Sequence, residues 1–167
     1  MKVPVSGKVF DKEEINNAIA AARDGWWTEG RFAKQFEKDF GNFLGTRYVS
    51  LVNSGSSANL LAISALTSSV FGKRRLKPGD EVITLATGFP TTVNPIIQNR
   101  CTAVFIDSDL GTKNATVDRI KKAITKRTRA IMMAHTLGNP MPLDGIMELV
   151  AKHSLWFIED CCDALGS

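Results

Sequence analysis

At 167 residues with 44% hydrophobic content, the chain is long enough to bury a core and short enough to be one domain or part of one. It has no run of about 18 uninterrupted apolar residues and no basic-then-apolar start of a secretory signal, so it reads as soluble, cytoplasmic and not membrane-bound. The net charge of +4 raises nucleic acid as a partner. However, the basic clusters Lys73, Arg74, Arg75, Lys77 and Lys121, Lys122, Lys126, Arg127, Arg129 lack interleaved aromatics and any recognition motif. They read as solvated helix ends and loops that can attract an anionic small substrate, and no nucleic-acid partner is expected. A nonenzymatic anion- or nucleic-acid-binding module stays open as a contrasting class.

In chain order, Asp11 opens a helix with acids in its first turn and Ile15, Ala18, Ile19 and Ala22 on one face; Gly25 ends it. Gly25 to Gly30 is an aromatic loop that can line a pocket or cover the core, cover being the favoured reading. Arg31 to Phe43 is a second amphipathic helix whose Phe32, Phe36, Phe40 and Phe43 form a packing stripe. Tyr48 to Val52 reads as a short buried strand. It breaks into Asn53-Ser54-Gly55-Ser56-Ser57 before a helix carrying Leu60, Leu61, Ile63 and Leu66. A helix start offers unpaired N–H groups to an anion, Gly55 permits close backbone approach, and the serine hydroxyls can donate to phosphate oxygens. An ordinary serine N-cap accounts for only one of those hydroxyls.

Further on, Lys77-Pro78-Gly79-Asp80 is turn chemistry, Glu81 to Leu85 a strand, and Thr91 to Asn99 a short helix interrupted early by Pro95. Cys101 to Ile106 is a strand, Thr116 to Ile124 a helix, Ala130 to Ala134 a strand, Pro142 to His153 a helix and Leu155 to Ile158 a strand, followed by Glu159-Asp160. The alternation indicates α/β architecture, a mostly parallel sheet with helices on both faces and no linker within it. Ligands of such sheets sit beyond the carboxyl ends of strands. That singles out Asn53 to Ser57, Gly88-Phe89-Pro90 and Asp160 to Asp163. Cys101, Cys161 and Cys162 form no C-x-x-C pair and read as buried structural thiols, so no metal site is expected. His135, after a predicted strand, reads as a satisfied buried histidine, with contact to substrate as the other reading.

Together the three ends suit a phosphorylated pyridine ring: a hydroxyl-rich helix start for the phosphate, Phe89 for the ring face and Asp160 for the ring nitrogen. A cap or solvated turn is the other reading of Asp160. The motifs NSGSSAN, LKPGDEVIT, GFPTTVNPI and WFIEDCCDALGS resemble the DegT/DnrJ/EryC1/StrS sugar aminotransferase family. GRFAKQFEKDF, AHTLGNP and EDCCDALGS further resemble its dehydratase branch, the 3-dehydrases of CDP-4-keto-6-deoxyglucose in lipopolysaccharide O-antigen dideoxysugar synthesis.

The resemblance implies the large domain of a fold type I, aspartate-aminotransferase-like enzyme that uses pyridoxal or pyridoxamine 5'-phosphate (PLP, PMP). Residues 1–167 would be the N-terminal segment and most of that domain, without the C-terminal small domain. It implies that Gly55, Ser56 and Ser57 bind the phosphate, Phe89 stacks on the ring and Asp160 pairs with its nitrogen. Asp163 falls where the family's aminotransferases usually have a glutamine, which favours C3 dehydration of a nucleotide-diphosphate 4-keto-6-deoxysugar over amino transfer. The base, a histidine in the dehydratase branch and a lysine in the aminotransferases, would lie beyond Ser167, as would the cysteines of an iron–sulfur cluster. A homodimer and an electron-transfer reductase are the expected protein partners.

Overall fold

The computed structural model describes residues 7–167 and divides the chain into a first unit ending at Leu51 and a second, Val52–Ser167. In the first unit, helix α1 (Lys12–Arg23) begins with a capping box: the Asp11 side chain accepts from the backbone of the first turn, and Glu14 accepts the Asp11 N–H at 2.7 Å. Two reciprocal bonds thus satisfy donors that a helix start leaves free. Helix α2 (Arg31–Leu44) ends at Gly45, whose φ of +65° makes a left-handed cap.

The phenylalanine stripe lies as expected along one face of α2, and the Phe36 and Phe40 rings stack at 5.2 Å. The rings pack on one another and not into a core, since Phe36 and Phe43 are exposed and Gly41 is the one buried residue of α2. Trp26 and Trp27 are exposed as well, so the aromatic loop is not cover within this unit.

Tyr48 to Val52 is not a strand. Tyr48 and Leu51 are exposed, and the Leu51 N–H donates to Glu37 Oε1 at 2.7 Å. β-propensity reflects a fit to a half-buried pleated surface, and among the described residues no neighbouring strand supplies one.

The second unit is built on a parallel four-stranded sheet, β1 (Glu81–Leu85), β2 (Thr102–Ile106), β3 (Thr128–Ala134) and β4 (Trp156–Asp160), in the order β2-β1-β3-β4. Alternation divides its apolar residues between two cores. Val82, Ala130 and Met132 meet Ile63 of α3 (Gly55–Leu66) and Ile96 of α4 (Pro90–Gln98). Ile83, Ile131 and Met133 meet Ile120 of α5 (Val117–Ala123) and Ile146 of α6 (Leu143–His153). Both faces are covered, which is why the strands read as continuous apolar runs.

Two expectations are corrected. Helix α4 is not interrupted by Pro95, because the carbonyl that a proline leaves without its amide, Thr91 O, accepts instead from Asn59 Nδ2 at 3.3 Å. Strand β4 does not stop at Ile158. Its ladder pairs Ala134 with Asp160, and the His135 N–H donates to Asp160 O at 3.2 Å, so Asp160 is a strand residue.

Where α5 meets α6, a methyl on Gly145 would lie 2.6 Å from Val117 Cγ2, on a β-branched side chain that cannot swing away. Gly145→Ala is therefore expected to lower stability by about 1 kcal/mol despite the better helix propensity of alanine, overpacking outweighing propensity. Urea unfolding of Gly145→Ala and of Gly145→Ala with Val117→Ala checks this: the second substitution should recover the loss, and equal midpoints for the parent and the single variant would refute it.

Candidate active site

The chain passes from β1 outward to β2 and then back across to β3, so the carboxyl ends of β1 and β3 diverge at a topological switch point, where open α/β sheets bind ligands. A cavity of about 480 Å³ lies there, within the range of small-molecule sites. Its wall includes Gly55 and Ser56 from the start of α3, Phe89 between β1 and α4, and Asp160 and Asp163 at the end of β4.

Each part is placed by local chemistry. The Ser54 side chain caps α3, accepting the Ser57 N–H at 3.2 Å, and the Ser54 and Ser57 hydroxyls bond at 3.2 Å. The Ser57 backbone N–H is thereby taken by the cap, while its hydroxyl, an acceptor in this contact, keeps its own proton to donate. Gly55 and Ser56, at positions whose N–H groups have no intrahelical acceptor, face the cavity. Phe89 precedes the helix-starting Pro90 and is 70% exposed, so its ring is free to meet a flat partner. Asp163 packs closely on Gly138: φ there is +78°, which strains any other residue, and a Cβ would lie a tight 3.0 Å from the Asp163 carbonyl oxygen.

Asp160 is the most firmly held of these residues. Its Oδ2 accepts from Thr92 Oγ1 at 2.7 Å and Asn59 Nδ2 at 2.8 Å, and its Oδ1 accepts the Cys162 N–H at 3.2 Å. Asn59 and Thr92 were not singled out in the sequence. The available signals were a polar side chain one turn beyond the glycine-serine cradle and a proline within a helix, which asks what takes the carbonyl it frees.

His135 is a satisfied buried histidine, as expected. Its Nδ1 accepts the Met141 N–H at 3.0 Å, so the proton lies on Nε2, which donates to Glu159 Oε1 at 2.9 Å. Cys161 joins this pair in a cluster within 4.8 Å. The Met141 contact is wrong for a metal: a neutral histidine that ligates through Nε2 carries its proton on Nδ1, where the Met141 N–H already points. Cys161 and Cys162 are not buried thiols: both are exposed, because they lie in the turn that follows β4 and not in the sheet. Partial desolvation and the neighbouring Glu159 and Asp160 still push the Cys161 thiol pKa up, away from the thiolate that a metal binds. Cys101 is buried at the foot of β2, and its thiol pKa is likewise raised by burial.

The basic clusters are tied into local structure. Lys122 pairs with Asp118 at 2.6 Å, Arg127 with Glu81 at 2.7 Å, and Arg74 lies 4.1 Å from the Trp156 ring centre. In the first unit, a cavity of about 410 Å³ near Trp26 is lined by groups that already pair with each other, Arg31 with Asp24 at 2.6 Å and Trp26 Nε1 with Glu29 O at 3.0 Å. Among the described residues no helix is long and apolar enough to cross a membrane.

The sequence profile of the DegT/DnrJ/EryC1/StrS aminotransferase family matches residues 8–167. The chain belongs to that family. Among family relatives it is similar to the lipopolysaccharide biosynthesis protein RfbH of Salmonella typhimurium, with 54% identity over 99% of this chain and 38% of that protein. It is also similar to the dTDP-4-dehydro-2,6-dideoxy-D-glucose 3-dehydratase of Saccharopolyspora spinosa, with 56% identity over 97% of this chain and 35% of that protein.

Among solved structures, a GDP-4-keto-6-deoxymannose-3-dehydratase with a trapped PLP-glutamate geminal diamine superposes with a TM-score of 0.89 at 33% identity, covering 99% of this chain and 42% of that one. An aminotransferase from Psychrobacter cryohalolentis gives 0.85 at 31% identity, over 98% of this chain and 40% of that one. The fold is therefore that of the family's PLP-dependent enzymes. The chain spans between a third and a half of the length of these relatives.

Proposed function

We propose that this chain supplies the cofactor-binding part of a PLP/PMP-dependent enzyme that removes the C3 hydroxyl of a nucleotide-linked 4-keto-6-deoxyhexose in cytoplasmic dideoxysugar synthesis. The observation that carries the reading is the convergence of a free helix start, an exposed aromatic ring and a hydrogen-bonded carboxylate on one cavity. Dehydration is favoured over amino transfer because identity to a named 3-dehydratase is 56%, against 34% to the GDP-perosamine synthase of Escherichia coli O157:H7.

The residues present fit the cofactor. The N–H groups of Gly55 and Ser56 and the Ser56 hydroxyl would hold its phosphate, with Ser57 supporting them through the Ser54 cap. Phe89 would lie against the ring, Asp160 would hold a proton on the ring nitrogen, and Asp163 would face the ring's polar edge. When bound, the ring supplies an electron sink for loss of the C3 hydroxyl. The reading takes residues 1–167 as an N-terminal segment and most of the large domain. It takes the proton-abstracting base, any iron–sulfur ligands, the small domain and the contacts of a homodimer or reductase from outside these residues.

The test is titration of the protein with PMP, followed by calorimetry. Saturable binding is expected, competed by inorganic phosphate, and Ser56→Ala should weaken it roughly tenfold, the worth of one hydrogen bond to a charged group. Absence of saturable binding, or full affinity in Ser56→Ala, would remove the phosphate seat from the reading.

A further inference from the structure

A carboxylate offers about four acceptor sites, two on each oxygen. At Asp160, Oδ2 takes both Thr92 Oγ1 at 2.7 Å and Asn59 Nδ2 at 2.8 Å, while Oδ1 takes only the Cys162 N–H at 3.2 Å. One acceptor site is left, on Oδ1, at a cavity to which Asp160 contributes a wall. We propose that Asn59 and Thr92 are positioning residues that saturate Oδ2 of Asp160 and so assign Oδ1 to the cofactor's ring nitrogen. The proposal rests on the cofactor reading above and names how that site is kept in register.

The direction of the Asn59 amide is itself determined. Its two protons meet two acceptors, Asp160 Oδ2 and the Thr91 carbonyl at 3.3 Å. That carbonyl lacks the backbone donor that would normally occupy it, because residue 95 is proline. A flipped amide would face an oxygen with an oxygen twice over, leaving a buried group unpaired. Pro95 thus contributes from within α4: it opens the acceptor that fixes the Asn59 amide, and the amide in turn fixes the carboxylate. Thr92 lies one residue from Thr91 on the same helix, so both donors to Oδ2 are set by the register of α3 against α4.

The test is the pH titration of the absorption band of PMP bound to the protein, which reports the ring nitrogen, with melting temperature measured alongside. Thr92→Val and Asn59→Ala each free Oδ2 to rotate, and each is expected to lower the proton affinity of the bound ring nitrogen by about tenfold, one pH unit. Thr92→Ser keeps the hydroxyl and is expected to restore the titration, even if losing the methyl lowers the melting temperature. A purely structural role would show as a lower melting temperature with the titration unmoved, and that result overturns the proposal, as would failure of Thr92→Ser to recover it. If the unaltered protein leaves the titration of PMP unchanged, the cofactor reading falls first and the positioning role falls with it.

Discussion

An Asp160→Asn variant of the whole protein is expected to retain PMP binding and to lose turnover by on the order of 10²-fold or more, the scale seen when one preorganised electrostatic contact to a reacting group is removed. Binding is expected to persist because Gly55 and Ser56, the residues proposed to hold the phosphate, belong to a different element. Turnover falls for two reasons. An opposite charge beside the ring nitrogen favours its protonated form, and asparagine has none to offer. Asparagine also cannot reproduce the pattern of bonds: with its oxygen toward Thr92 and Asn59, its amide group faces the Cys162 N–H, donor against donor. Turning it round sets the amide against the Asn59 amide group, again donor against donor. Measuring turnover and PMP affinity separately checks the argument. Activity within tenfold of the parent would remove Asp160 from the role, whereas joint loss of affinity and turnover would mean that the carboxylate holds the cavity together rather than serving the ring.

The position of Asp160 on the cavity wall was legible in the sequence because it directly follows an apolar run, which puts it at the carboxyl end of a strand. The helix start at Gly55 was legible because serines around a glycine mark a helix cap, which Ser54 supplies. Asn59 and Thr92 were not, since their partner is 101 and 68 residues away along the chain and nothing local records it. Which serine forms the cap was also hidden: a sequence shows three hydroxyls, and the structure gives the cap to Ser54 and puts Ser56 on the cavity wall. The failed strand at Tyr48 to Val52 has the opposite cause. Its local pattern suits a strand, but a strand exists only where another offers its hydrogen-bonding edge, which composition cannot report.

Glu81 carries the largest expected stability effect. It opens β1 in the middle of the sheet, is 3% exposed, and accepts from Thr125 Oγ1 at 2.5 Å and Thr128 Oγ1 at 3.4 Å while pairing with Arg127 at 2.7 Å. The Thr125 hydrogen bond, more than the Arg127 charge, holds its pKa below the ordinary carboxylate value, against the burial that would raise it. A lowered folded pKa means that the unfolded chain takes up the proton first. The contribution is therefore complete above about pH 4.3, the ordinary glutamate value, and is lost as the pH falls through the lower folded value.

Glu81→Ala is expected to cost about 2–4 kcal/mol at pH 7, since it removes the acceptor of two threonine O–H groups and the partner of Arg127 in the turn that feeds β3. Urea unfolding at a series of pH values checks this: the gap between parent and variant should shrink as the solution is acidified, and a gap independent of pH would contradict the linkage. Because Arg127 is 72% exposed while the threonine bonds are shielded, Thr125→Val should cost more than Arg127→Gln, and molar salt should leave most of the effect in place. If Arg127→Gln cost the more, the exposed ion pair rather than the buried hydrogen bond would be what anchors the start of the sheet.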